Sequence, residues 1–421
     1  MKKRKSRDES SDSADASNVQ PSNTENKIVP WIVFLFSIGI VLISFVSVMF
    51  PSLILVSDTV KIPGIEPVTP DPFETGVWSG GVIAAGFITL GLAFLYFRQK
   101  LPSFLVSIFT RLFFFEVSKK TAFIVMAVLL AIYLSASSVE LSSQEIFEDY
   151  SGVKNRLENW SVDTIASFEP HVNYFLLKSS IVLFGNDRVI PLLASAALLV
   201  VTYFLTKTIT QKRFAGIVAV VILVQSNVFL VYDTTVSYTN FWILFYLLSL
   251  YLVYRFWPLS PVSYLLSIPS KALTAAFLPM SIYFILRSSI SRKQKMITAG
   301  ITAGIILAGG LASLGGVSTT QGTEEEFDAK EFWMGFTSFS YQLRFDGLVM
   351  LFMVPLMVGL FLVSRRGVKH GESIMVLISG MLLIAPVLTG FTNQTNQPYR
   401  FVPLVVFFAI GVGVLLSRRQ A

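Results

Sequence analysis

Long apolar runs separated by short polar breaks dominate the chain, and their lengths are the first thing that decides its class. Runs near 29–50, 78–97, 121–138, 189–206, 214–232, 240–256, 296–316, 347–364, 373–391 and 401–417 carry almost no charge. Each is close to the roughly 20 residues that a helix needs to cross a hydrocarbon core of about 30 Å. A backbone in lipid must satisfy its own hydrogen bonds, which long helices do, and the two-residue alternation of a membrane barrel is missing. The pattern therefore predicts an all-α integral membrane protein of about ten transmembrane helices.

Two stretches break the pattern. Between 258 and 286 lie two shorter apolar pieces interrupted by Pro258, Pro261, Pro269 and Pro279. Arg255 precedes them, and Arg287, Arg292, Lys293 and Lys295 follow. Basic residues on both flanks predict a re-entrant helix pair that dips in and returns to the same side. Residues 101–118 are also too short to span; Pro102 suits a helix start, and Ser103, Ser107 and Arg111 form a polar stripe, which predicts an interfacial cytoplasmic helix. Residues 1–28 are polar and low in complexity after a basic start, Lys2-Lys3-Arg4-Lys5, and predict a disordered cytoplasmic tail. The organisation is thus a tail (1–28), two transmembrane helices with an interfacial helix (29–118), and a larger membrane domain (119–421) with external loops at 139–188 and 317–346.

Charge fixes the orientation of this arrangement. With the N-terminus inside, most of the 33 Lys and Arg fall on the cytoplasmic side and most of the 26 Asp and Glu on the other. Both termini are then cytoplasmic, in a multi-pass protein of the cell membrane. The sequons Asn159-Trp160-Ser161 and Asn393-Gln394-Thr395 both fall outside. The formal charge of +7 reflects this sorting and not a nucleic-acid surface. The absence of cysteine excludes disulfides and thiolate metal sites, and two histidines, His171 and His370, are too few for a histidine metal cluster.

Composition matters next for where chemistry sits. The loop 139–188 carries Glu140, Glu145, Glu148, Asp149, Glu158, Asp163, Glu169 and Asp187, and the loop 317–346 a second acidic set. One reading is that external loops are acidic because positive charge is kept inside. The other is that carboxylates just past a helix end face the headgroup of a lipid-linked substrate, as a general base or as oxygen ligands for a divalent cation. Lys271 is the clearest charge inside the apolar region; it either snorkels to the cytoplasmic surface or serves a site. Arg400 and Arg344 stand on the side where basic residues are scarce. There a guanidinium either anchors the interface or holds a phosphate bidentately.

The order of features resembles the GT-C superfamily of membrane glycosyltransferases, in particular the branch of protein O-mannosyltransferases and lipid A aminoarabinose transferases. The likeness covers roughly 120–290 and returns at 390–417. It rests on Gln144-Glu145 where the family has an acidic pair, then on Glu169-Pro170-His171-Val172-Asn173-Tyr174-Phe175 and Leu183-Phe184-Gly185. It continues with Phe229-Leu230-Val231-Tyr232, Ser267-Ile268-Pro269-Ser270-Lys271 and Pro398-Tyr399-Arg400-Phe401-Val402-Pro403. Gln144 departs from the acidic pair, and Glu140, Glu148 or Asp149 is the possible substitute. The resemblance implies a GT-C-like fold and transfer of a sugar from a polyprenyl-phosphate donor to an acceptor on the outer face. It implies Glu145, with Asp149 and Glu140, as catalytic carboxylates, Glu145 deprotonating the acceptor hydroxyl or serving as the ligand of any divalent cation. Arg400, Arg344, Lys271 and Tyr399 would bind the donor phosphate, and His171 and Asn240 the substrate. Two alternatives stay open: a non-catalytic protein on the same fold that binds lipid-linked saccharides or scaffolds a membrane complex, and a transporter or flippase.

Overall fold

The computed structural model describes residues 28–50, 73–147, 149–159, 171–316, 327–336, 343, 346–392 and 398–417. Every regular element among them is helical. In chain order these are α1 (Ile28–Met49), α2 (Ser79–Phe97), α3 (Ser103–Phe114), α4 (Lys119–Ser137), α5 (Tyr150–Glu158), α6 (His171–Phe184), α7 (Val189–Thr210) and α8 (Arg213–Val224). There follow α9 (Asn227–Val231), α10 (Phe241–Arg255), α11 (Leu259–Ser267), α12 (Leu278–Arg287), α13 (Arg292–Gly316), α14 (Ala329–Gly335), α15 (Gly347–Arg365), α16 (His370–Thr392) and α17 (Val402–Leu415). Among the described residues six helical stretches are long and apolar enough to cross a membrane: Ile28–Met49, Ser79–Phe97, Lys119–Ser142, Val189–Thr210, Gly347–Arg365 and His370–Phe391. They coincide with six of the ten expected spans. The expected spans 240–256 and 401–417 form shorter apolar helices, α10 and α17.

The expected span 214–232 is two helices, not one. It breaks at Gln225–Ser226, where the Ser226 hydroxyl accepts the Phe229 N–H at 3.1 Å and starts α9. The Asp346 carboxylate accepts the Asn227 and Val228 N–H groups at 3.0 and 2.9 Å. Freed amides at a helix start need such acceptors, and here a side chain from a distant part of the chain supplies them.

α17 is the axis of the bundle: twelve of its residues are buried, among α7, α8, α15 and α16. Close approach is secured by Gly413, where an added Cβ would lie 2.4 Å from Thr206 Cγ2 and 3.0 Å from the Ala215 carbonyl oxygen. At the periphery the pattern inverts. α2 buries only Ser79 and Val82, and Phe87 is 72% exposed. α3 buries nothing and exposes Phe104, Phe109 and Phe114. Apolar helices bare on most sides fit a surround of lipid and not of water. α3 is tied at its end, where Lys212 Nζ donates to the Phe113 carbonyl at 2.7 Å and Phe115 packs edge-on against Phe214.

The two short helices α11 and α12 form the hairpin that the prolines predict. α11 lies antiparallel to α10, with the Ser263 hydroxyl donating to the Phe245 carbonyl at 2.8 Å. The chain turns at Pro269–Lys271, passes through a short 3-10 helix (Ala272–Phe277) and returns along α12. Arg255 and Arg287 therefore sit at one end of the bundle, and the tip, Ser270–Lys271, reaches the first turn of α10 near the other.

Candidate functional site

That second end carries a cavity of about 490 Å³. Asp149 just before α5 and Arg156 in its last turn contribute, with Asn173 and Tyr174 from the start of α6 and Ser237, Tyr238 and Thr239 from the loop 232–240. Trp242 of α10, Ser270 and Lys271 at the hairpin tip, and Tyr399 just before α17 complete the wall. Segments far apart in sequence thus converge because each lies at the same end of an up-and-down bundle.

A hydrogen-bonded clamp holds the loop 232–240 in place. Glu145, 8% exposed, accepts the Val236 N–H at 2.7 Å and the Ser237 N–H at 3.1 Å, one on each carboxylate oxygen. Arg188 donates through Nε to the Thr234 carbonyl at 3.1 Å and through Nη2 to the Thr234 hydroxyl at 2.8 Å. It also donates to the carbonyls of Glu140 and Ser143 and pairs with the Glu140 carboxylate at 3.6 Å. The Thr234 hydroxyl in turn donates to Glu140 at 2.7 Å. Thr239 donates to Asn173 Oδ1 at 2.5 Å, and Asn240 to the Ser195 hydroxyl and the Tyr232 carbonyl at 3.0 and 3.2 Å.

On the cavity side the arrangement is different. The Tyr238 hydroxyl donates to Asp149 Oδ2 at 2.6 Å, and burial, then the Asp149 carboxylate, push that phenol well above its usual range. The Tyr238 ring stacks on Tyr399 with centroids 4.2 Å apart and planes 12° from parallel. Lys271 Nζ lies 3.8 Å from the centroid of the same Tyr399 ring and 5.7 Å from that of Trp242. Tyr399 is thus in contact with both the Lys271 ammonium and the Tyr238 ring. A cation over ring faces in a partly desolvated setting is held by their quadrupoles. Arg156 Nη1 donates to the Tyr174 hydroxyl at 3.3 Å. The wall therefore presents two cations and one carboxylate among aromatic surfaces, an arrangement suited to a compact anionic ligand with a ring or sugar attached.

The candidate residues from the sequence divide accordingly. Asp149, Lys271 and Tyr399 line the cavity. Glu145 and Glu140 are turned into the clamp, and Asn240, 2% exposed, ties the loop's end. His171 opens α6 beside the site, with its Nδ1 buried and without a hydrogen-bond partner among the described residues. Arg400 stands behind Tyr399, whose hydroxyl accepts from its Nε at 3.4 Å, and is not on the cavity wall. Arg344 and Glu148 lie outside the described residues. Snorkelling does not describe Lys271: the hairpin tip carries it away from the end where α11 begins. Arg156, Tyr238 and Trp242 were not singled out from sequence. Arg156 has a signal of the same kind as Arg400, a basic residue on the acidic side.

Each Glu145 oxygen accepts one backbone amide, so the clamp occupies one of the two lone pairs on each. Among the described residues no group of three or more His, Asp or Glu side chains is placed to hold an ion. The chain matches no family model, and neither a curated protein nor a solved structure matches it.

Proposed function

We propose that the cavity receives the phosphorylated headgroup of a lipid-linked saccharide, and that the protein is a membrane glycosyltransferase working at the outer end of a bundle of about ten spans, with both termini cytoplasmic. One observation carries the reading: Lys271, Arg156 and Asp149 border a single cavity whose remaining wall is largely aromatic and hydroxylic. In this reading Lys271 and Arg156 hold the donor phosphate, and Trp242 and the Tyr238–Tyr399 stack flank the sugar. The acceptor hydroxyl attacks the anomeric carbon as the bond from that carbon to the phosphate oxygen breaks. Asp149 takes the hydroxyl proton once Tyr238 has released it, and the two cations balance the charge left on the departing polyprenyl phosphate.

Glu145 plays no acid–base part in this scheme; it keeps Ser237 and Tyr238 on the wall. That fact also favours a second reading, a non-catalytic binder of lipid-linked saccharides. The acid that the family resemblance points to is committed to backbone amides, and Asp149 is already hydrogen-bonded. One experiment separates the two. The full chain in nanodiscs is given a polyprenyl-phosphate hexose, and binding and sugar release are followed together in wild type, Asp149→Asn and Lys271→Met. Transfer lost with binding kept in Asp149→Asn supports the enzyme. Binding without turnover in wild type supports the second reading. Binding that is absent in wild type, or unchanged in Lys271→Met, sinks both.

A further inference from the structure

At the rim of the end where α11 begins, two adjacent exposed cations are held by rings and not by carboxylates. Arg365 ends α15 and Arg366 caps it; the chain turns there because Gly367, at φ +95°, takes the left-handed conformation. Arg365 Cζ lies 5.5 Å from the centroid of the Trp31 ring, in the first turn of α1. Arg366 Nε donates to the Tyr96 hydroxyl at 2.9 Å, in the last turn of α2, and its Cζ lies 4.8 Å from that ring's centroid. Three helices thus bring two guanidiniums, a Trp and a Tyr to one level, and Trp and Tyr favour the headgroup level of a bilayer.

Neither guanidinium has an ion-pair partner among the described residues. Glu372, a few residues on, is 1% exposed and committed to Arg287 at 2.6 Å and to the hydroxyls of Ser364 and Tyr283. A ring face holds a cation in place without neutralising it. Basic residues are common at an inner membrane surface, and Arg292 and Lys293, exposed at the start of α13, are of that ordinary kind. Arg365 and Arg366 differ because each is positioned by an aromatic side chain of another helix.

The surrounding helices leave room for a lipid. α1 and α2 are fastened at their far ends, where the Met49 carbonyl accepts the Gly76 N–H at 3.0 Å and the Ser79 hydroxyl at 2.9 Å. From there both pack on α15, α1 with Phe34 stacked on Phe361 and α2 with Gly81 close against Leu351. Successive helical residues point about 100° apart, so Arg365 and Arg366 reach to different sides, one to α1 and the other to α2. A wedge is left between the two helices, and near it they expose Ile32, Leu35, Phe94 and Phe97.

We propose that Arg365 and Arg366 bind the phosphate of an anionic phospholipid whose acyl chains lie in the wedge between α1 and α2. A guanidinium resting on a ring face keeps its N–H edge for phosphate oxygens. The ammonium of a zwitterionic headgroup would meet no free carboxylate beside these two cations, so a headgroup of net negative charge fits better. The site lies at the opposite end from the cavity and stands whether or not the cavity takes a lipid-linked saccharide.

Native mass spectrometry of the full chain in detergent, given equal amounts of phosphatidylglycerol and phosphatidylcholine with the same acyl chains, reads the site. Wild type should hold one phosphatidylglycerol about thirtyfold more tightly than phosphatidylcholine, the scale of two basic residues at an anionic surface. Arg365→Gln with Arg366→Gln should abolish that preference. Arg292→Gln with Lys293→Gln removes the same charge from the same end and should change it by about twofold or less. Inorganic phosphate should not displace the lipid. Equal retention of the two lipids by wild type, an equal loss in both double variants, or displacement by inorganic phosphate overturns the proposal. If the Arg365→Gln, Arg366→Gln chain does not fold, Arg365→Lys with Arg366→Lys decides. It keeps the charge but loses the planar fork; weaker retention of phosphatidylglycerol supports the site, and unchanged retention overturns it.

Discussion

The two ends of the bundle both concentrate polar residues, yet they use them differently. At the end where α11 begins, Glu372 is 1% exposed and pairs with Arg287 at 2.6 Å. It also accepts from the Ser364 hydroxyl at 2.9 Å and the Tyr283 hydroxyl at 3.0 Å. Charge there meets charge, and the result is a bracket that joins the base of the hairpin to α15 and α16. At the cavity end Lys271 meets ring faces, and the ion pairs among the described residues, Arg188–Glu140 and Arg287–Glu372, do not include it. A charge neutralised by its opposite holds the fold, whereas a charge held by aromatic faces keeps its field for a ligand.

Breaking the bracket should have the largest effect. Glu372→Ala leaves Arg287 without its partner and should cost about 3 kcal/mol of stability, read as a lower unfolding midpoint in detergent. Joint replacement by Glu372→Leu and Arg287→Met should recover most of the loss. At the other end Lys271→Met should leave the unfolding midpoint nearly unmoved while weakening the binding of a polyprenyl phosphate by about tenfold to a hundredfold. An equal loss of stability in both variants would erase the distinction between the two ends. Glu145→Gln falls between them. It offers one acceptor where the carboxylate offers two, and should cost about 2 kcal/mol together with faster exchange at Val236 and Ser237. Arg400→Ala should be mildest, weakening binding by about threefold or less, because Arg400 stands behind Tyr399 and not on the cavity wall.

Much of this framework is legible in the sequence. Run length gives the helices, Pro258 to Pro279 with basic flanks gives the hairpin, and the polar stripe on 103–114 gives a helix that buries nothing in the bundle. The site is less legible for a physical reason. Glu145 and Asp149 are one turn of helix apart in number and alike in chemistry, and only the backbone amides of a loop some ninety residues away decide which carboxylate is consumed. Lys271 poses the same problem. Its flanks tell which side the hairpin enters from, but the surface its tip meets is set by Trp242 and Tyr399, which no local pattern brings together. The break inside 214–232 is not legible in run length, because the Asn227 and Val228 amides it frees are taken up by Asp346 from a distant part of the chain.

Two helices near the cavity loop are short: α8, which the five residues of α9 separate from it, has 12 residues, and α10, which follows it, has 15. They are about 18 and 22 Å long at 1.5 Å per residue, well under a hydrocarbon core of about 30 Å. In a bilayer this mismatch is relieved by local thinning of the leaflet or by water drawn inward. In the proposed orientation the headgroup plane would then dip toward Lys271 and Asp149. A prenyl chain could then deliver its phosphate there with its tail still in oil, and membrane thickness becomes a variable that sets how often it arrives.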